Sequence, residues 1–193
     1  MKKIAIFSGS FNPIHIGHLA LANYICELGW IDELWFMVTP HNPLKSTTTL
    51  APDHARLEMV KLAISGYDKF KASSFEFNLP QPSYTIKTLE ALKLQYPECN
   101  FHLLIGADNW HLFDQWKDSN KIIDQFNLLI YPRVGYPVDQ NLLPNNVQYV
   151  DSPVIEVSST FIRENIENGK DFRYFLHPSV HQFITDNKLY IKE

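Results

Sequence analysis

A doubly wound, Rossmann-like parallel sheet with helices on both faces, and a small helical segment at the end, is the fold this 193-residue sequence predicts. Two observations carry the prediction. Short β-prone runs alternate with helically spaced apolar residues through most of the chain, and the first such run stops at a glycine that opens a helix. A hydrophobic content of 45% with 13% aromatics is enough for an ordinary buried core, so one domain spanning 1–193 is expected, with the helical part from about residue 158 packed on it.

The elements follow in order. Residues 3–8 read as a strand ending at Gly9, and Leu21, Ile25 and Leu28 then fall on one helical face, with Gly29 as the stop. Residues 33–38 read as the next strand, and 52–64 as a helix with Pro52 near its first turn and Leu57, Val60 and Ile64 on one side. A β-prone patch at 70–77 precedes a helix that begins at Ser83, a good N-cap, and stops at Pro97. A buried strand at 101–105, an aromatic-rich segment at 108–116 and a strand at 126–131 continue the alternation. Residues 132–146, with three prolines, one glycine and three asparagines, read as a surface excursion. Two short helices close the chain, from Ser158 to Gly169 and from near Ser179, with residues 189–191 packing at the end.

Charge and composition exclude several classes. A net charge of -4 with no Lys/Arg run disfavours a nucleic-acid partner. No stretch approaches bilayer-spanning length and the N-terminal apolar run is too short for a signal core, so a cytoplasmic protein without a membrane partner is expected. Cys26 and Cys99 have neither a paired nor a metal-ligand spacing and read as core residues. Oligomeric state stays open, a homo-oligomer included.

The informative segment is Gly9-Ser10-Phe11-Asn12-Pro13-Ile14-His15-Ile16-Gly17-His18, between the first strand and the first helix. At that place in a doubly wound sheet, exposed backbone N–H groups, the positive end of the helix dipole and two imidazoles three residues apart form a phosphate cradle. Either histidine alone would be an ordinary capping or packing residue; the ensemble is harder to explain that way. Near the other end, Ser158-Ser159-Thr160-Phe161-Ile162-Arg163 starts a helix with hydroxyls and free N–H groups. Arg163 there offers a charged fork suited to pyrophosphate.

The first segment resembles the GxFxPxHxGH signature of the nucleotidyltransferase superfamily, with Ser10 and Asn12 where many pyridine-nucleotide members have Thr and Asp. The second, with Val157 before it, resembles the ISSTxIR signature of members acting on nicotinate or nicotinamide mononucleotide. His15-Ile16-Gly17-His18 also spells the motif of class I aminoacyl-tRNA synthetases, but those are much longer and no KMSKS-like segment is present.

Between the two signatures, Pro40 to Lys45 follows the second strand as a substrate loop would, Ser83 to Leu89 is similar to an SYTxxTL element, and Gly106-Ala107-Asp108 is similar to a GAD motif leading to Trp116. The resemblance, to bacterial nicotinate mononucleotide adenylyltransferases, implies AMP transfer from ATP to nicotinate mononucleotide with release of pyrophosphate. Nicotinamide mononucleotide is the runner-up acceptor. Phosphopantetheine, a choline- or glycerol-phosphate with CTP, and a non-catalytic nucleotide sensor are more distant alternatives.

The implied ATP site comprises Gly9, Ser10, Phe11, His15, His18, Gly106, Asp108, Ser158, Ser159, Thr160 and Arg163, with His15, His18 and Arg163 serving the chemistry. The implied acceptor site holds Lys45, an anion partner, with Thr85 beside the pyridine ring and Trp116 stacked on it. Mg²⁺ is expected on ATP, held by phosphate oxygens rather than by a carboxylate cage.

Overall fold

The structure, a computed structural model, describes residues 1–40 and 50–191. Its six strands, β1 (Lys2–Gly9), β2 (Glu33–Val38), β3 (Phe70–Ser73), β4 (Cys99–Gly106), β5 (Asn127–Tyr131) and β6 (Val147–Tyr149), form one sheet in the order β3-β2-β1-β4-β5-β6. Every neighbouring pair is parallel, with Ile4 aligned to both Glu33 and Phe101. The winding direction reverses between β1 and β4, and the carboxyl ends of those two strands therefore flank a crevice.

The alternation of side chains along each strand builds two cores. Ala5, Phe7, Leu34, Phe36, Leu129 and Tyr131 face one layer, where α1 (Ile16–Glu27), α2 (Asp53–Ile64), α6 (Ser159–Glu167) and α7 (Pro178–Asp186) add Ile25, Val60, Ile162 and Val180. Ile4, Ile6, Leu103, Leu128 and Ile130 face the other, covered by α3 (Thr85–Gln95), α4 (Ala107–His111) and α5 (Ser119–Gln125) through Leu89, Ala107 and Ile122. The expected helices on both faces are present, and Cys26 and Cys99 are buried free thiols. Among the described residues no helix is long and apolar enough to cross a membrane.

Several boundaries differ from expectation for identifiable reasons. Leu28 follows the last turn of α1 and is exposed, because Gly29 at φ +73° already turns the chain away from the sheet. The patch at 70–77 is strand only to Ser73, after which Phe75–Asn78 form a 3₁₀ turn that buries Glu76. Ser83 does not cap α3. Its hydroxyl donates to Glu76 Oε2 at 3.3 Å, and Tyr84 takes the N-cap position. Tyr190 and Leu189 pack as expected, but Ile191 is exposed. Short elements such as α4, α5 and β6 were not anticipated. Helix α5 is only seven residues long, and β6 is a three-residue edge strand, so neither spans enough chain to display a period.

Candidate active site

The turn after β1 ends in His15, whose extended backbone (φ -144°) makes it the N-cap of α1. Its ring stacks on that of His18, with centroids 3.7 Å apart and planes 25° from parallel. The backbone N–H of His15 donates to His18 Nδ1 at 3.3 Å, so a neutral His18 carries its proton on Nε2. Burial, followed by the positive charge of Arg133, pushes the His15 pKa down to about 3, so this imidazole is neutral at physiological pH. Its Nδ1 is buried with no hydrogen-bond partner. Phe11 supports the pair from behind, edge-on to the His18 ring at 5.1 Å and to Phe7 at 5.7 Å. That buried aromatic sits at φ +45°, a left-handed conformation that costs a non-glycine residue about 1–3 kcal/mol and persists only where its surroundings enforce it.

The start of α6 meets this turn directly. Ser158 Oγ accepts the Phe161 N–H at 3.1 Å and caps the helix. Ser159 Oγ donates to the Pro13 carbonyl at 2.8 Å, and Arg163 Nη1 donates to the Asn12 carbonyl at 2.8 Å. Arg163 Nη2 reaches Thr160 Oγ1 at 3.4 Å. Segments about 150 residues apart in sequence are thus hydrogen-bonded together. Asn12 is the hub: buried, it accepts at Oδ1 from the Ala51 N–H (3.1 Å) and from the Tyr190 hydroxyl (2.8 Å).

Beside this junction opens a cleft of about 780 Å³, within the range of small-molecule sites. Its walls include His15, His18, Asp108 and Ser158 from the expected set. Gly106 lies at its edge: a Cβ there would collide with Asp108 Oδ1 and press on the Arg133 side chain, so only glycine lets these groups approach. Gly9, Ser10, Phe11, Ser159, Thr160 and Arg163 form the framework next to the cleft rather than its lining.

Thr85 and Trp116 lie outside the cleft, on the side of the second core. Thr85 is the first residue of α3, and Trp116 packs on Phe113 with centroids 5.3 Å apart. The two neighbourhoods adjoin, since Lys117 Nζ stands 4.5 Å over the Tyr84 ring. Lys45 lies outside the described residues.

The cytidylyltransferase-like family matches residues 6–165 of the chain. A probable nicotinate-nucleotide adenylyltransferase of Bacteroides fragilis is 60% identical over 182 residues, covering 94% of this chain and 90% of that protein. Its namesake in Flavobacterium johnsoniae is 43% identical over 98% of this chain and the whole of that protein. The chain belongs to the nicotinate-nucleotide adenylyltransferase family. The structure of Plasmodium falciparum nicotinic acid mononucleotide adenylyltransferase complexed with NaAD superposes with a TM-score of 0.85 at 23% identity, covering 98% of each chain, a likeness of fold.

Two features of this family member escape sequence reasoning. Arg133 follows β5 and enters the cleft, with Nε 3.7 Å from Asp108 Oδ1 and Nη2 donating to the Tyr131 hydroxyl at 3.2 Å. The signal available was its position: strand ends of a doubly wound sheet face the crevice, and a Pro-Arg pair just beyond one is suspect for that reason. Ser152 to Val157 also line the cleft, and this mixed run of serine, proline, aliphatic residues and one glutamate carries no motif to find.

Proposed function

We propose that this chain transfers the AMP portion of ATP to nicotinate mononucleotide, giving nicotinate adenine dinucleotide and pyrophosphate. The observation that carries the reading is the junction itself. Through Ser159 to Pro13 and Arg163 to Asn12, the histidine turn and the α6 start are joined near the switch point of the sheet, and two helix N-termini brought together there favour an anion. Membership of the family and the high identity to nicotinate-nucleotide adenylyltransferases point to the same reaction.

The chemistry follows from positioning and charge. The acceptor's phosphate monoester is ionised at neutral pH and attacks the α-phosphorus in line, so neither a covalent intermediate nor a strong general base is required. His18 donates from Nε2 toward the triphosphate. His15, neutral in the free protein, gains protonation tendency as the polyphosphate charge arrives and so answers charge with charge. The start of α6 and the charge of Arg163 act on the departing pyrophosphate, with Ser158 capping the helix and Ser159 tying its first turn to Pro13. Gly9, Ser10 and Phe11 carry the backbone against which the phosphates lie, and Gly106 with Asp108 holds the adenosine ribose. Lys45, Thr85 and Trp116 receive the mononucleotide, the indole stacking on its pyridine ring.

Mg²⁺ accompanies ATP and, when bound, spreads the triphosphate charge. The ion would be held by phosphate oxygens of the nucleotide. Pyrophosphate release from ATP, measured side by side with nicotinate mononucleotide and its amide, tests the proposal. Release with the acid form, exceeding that with the amide at least about tenfold, is expected. Absence of release with both defeats the reading.

A further inference from the structure

The side chain of Arg56, on α2, has no exposed surface at all. Each of the five N–H groups of a guanidinium nevertheless has an oxygen to meet. Nε donates to Ala51 O at 3.0 Å, Nη1 to Ser10 O at 2.6 Å and to Thr39 O at 2.9 Å, and Nη2 to Pro40 O at 3.2 Å and to Asp53 Oδ1 at 2.5 Å. Four of these partners are backbone carbonyls. They come from three separate stretches: the turn after β1, the two residues just past β2, and Ala51, two residues ahead of α2. Asp53, about half exposed, is the one anion.

A buried cation is a poor way to gain stability, because its desolvation cost offsets most of what its bonds return, and apolar replacements of similar volume are often tolerated. What a planar fork does well is fix directions. The bond between Ser10 and Phe11 is trans, as it is not among the cis peptides of the chain. In a trans peptide the C=O and the following N–H point opposite ways. Drawing Ser10 O onto Nη1 therefore aims the Phe11 N–H away from Arg56.

The same contact adjoins Phe11 at φ +45°, a backbone state that must be imposed from outside. Ala51 extends the frame. Its carbonyl accepts from Arg56 while its N–H donates to Asn12 Oδ1, so the arginine is tied to both Ser10 and Asn12 of the histidine turn. On the opposite side Arg163 holds the Asn12 carbonyl. Being fully enclosed, Arg56 does not touch substrate.

We propose that Arg56 is a positioning residue for adenylyl transfer: its guanidinium locks the Ser10–Phe11 peptide plane and the carboxyl end of β2 into one frame, so that the triphosphate and the acceptor meet in line. The inference rests on the adenylyltransferase reading above. Small errors in such a frame are expensive, since a misplacement of about 1 Å lowers rates on the order of 10²-fold.

The test compares wild type with Arg56→Lys and Arg56→Met, using pyrophosphate release with ATP and nicotinate mononucleotide both saturating, alongside thermal melts of each protein. Cooperative melting of both variants is expected, with kcat of Arg56→Met down on the order of 10²-fold, and the KM for ATP changed by less than about fivefold. Arg56→Lys, which keeps a cation but not the fork, should recover part of the loss.

Three results overturn the proposal. One is wild-type kcat in folded Arg56→Met. Another is a loss of rate that disappears on assaying well below the melting temperature, which assigns Arg56 to stability. The third is failure of both variants to fold, which assigns it to the fold. A wild-type protein that releases no pyrophosphate instead refutes the adenylyltransferase reading, so the two failures are told apart.

Discussion

At the scale of single residues, the two imidazoles at the head of α1 differ in role because their surroundings differ. His15 is 4% exposed with its pKa pushed down to about 3, and His102 on β4, with both ring nitrogens buried and unpartnered, is also lowered by burial. Both bind protons more weakly when folded than when unfolded, so the stability they permit is fully present above about pH 6.5 and is lost as pH falls, for His15 down to about 3. Denaturant titrations at pH 8 and pH 5 should show a loss of up to about 2 kcal/mol from His15 alone. Replacing it with Gln should remove that part, and an unchanged pH dependence would place the titration elsewhere.

For activity, His18→Ala should lower kcat on the order of 10²–10³-fold in a folded protein, read by pyrophosphate release. Trp116→Ala should raise the acceptor KM more than it lowers kcat, because stacking operates before the chemical step as well as during it. The opposite split would argue against a stacking role. His15 and His18 were legible as cleft residues because two histidines three residues apart are unusual in a strand-to-helix turn, and the α6 start drew notice for its hydroxyls and Arg163. Arg56, Asn12 and Arg133 were not legible, since their partners are backbone carbonyls or side chains remote in sequence.

At the scale of elements, the long periodic segments announced themselves, and the short ones did not. Helices α1 to α3 each carry several buried apolar residues toward one core, and strands β1, β2 and β4 alternate them between both, whereas α5 and β6 fully bury only Ile122 and Val147 in theirs. Ser83 shows how tertiary demand overrides a local rule. A good capping residue was drawn off to a buried carboxylate that also takes the Thr88 hydroxyl at 2.8 Å. Ser158, by contrast, does cap its helix. Ser158→Ala should therefore cost about 1 kcal/mol, or about 2–4 °C in Tm for a protein of this size, measurable by calorimetry. A neutral result would mean that packing of Ile162 holds α6 unaided.

For the whole molecule, the reversal of winding between β1 and β4 decides where chemistry can happen, and the carboxyl-terminal helices complete that place from outside the sheet. A ligand bridging both parts couples their stabilities. A non-hydrolysable ATP analogue at a hundredfold its Kd should add about 2.7 kcal/mol, or roughly 5–10 °C in Tm. Arg163→Ala should reduce that gain by weakening binding, and an undiminished gain would mean that the nucleotide ignores α6.

Tyr190 brings a temporal consequence. Its hydroxyl is lodged on Asn12, beside the histidines, so a nascent chain with the whole sheet already formed still lacks the last brace of its phosphate turn. Competence for nucleotide should appear only once Tyr190 itself has left the ribosome, and chains cut short ahead of it should stay inert rather than sequester ATP.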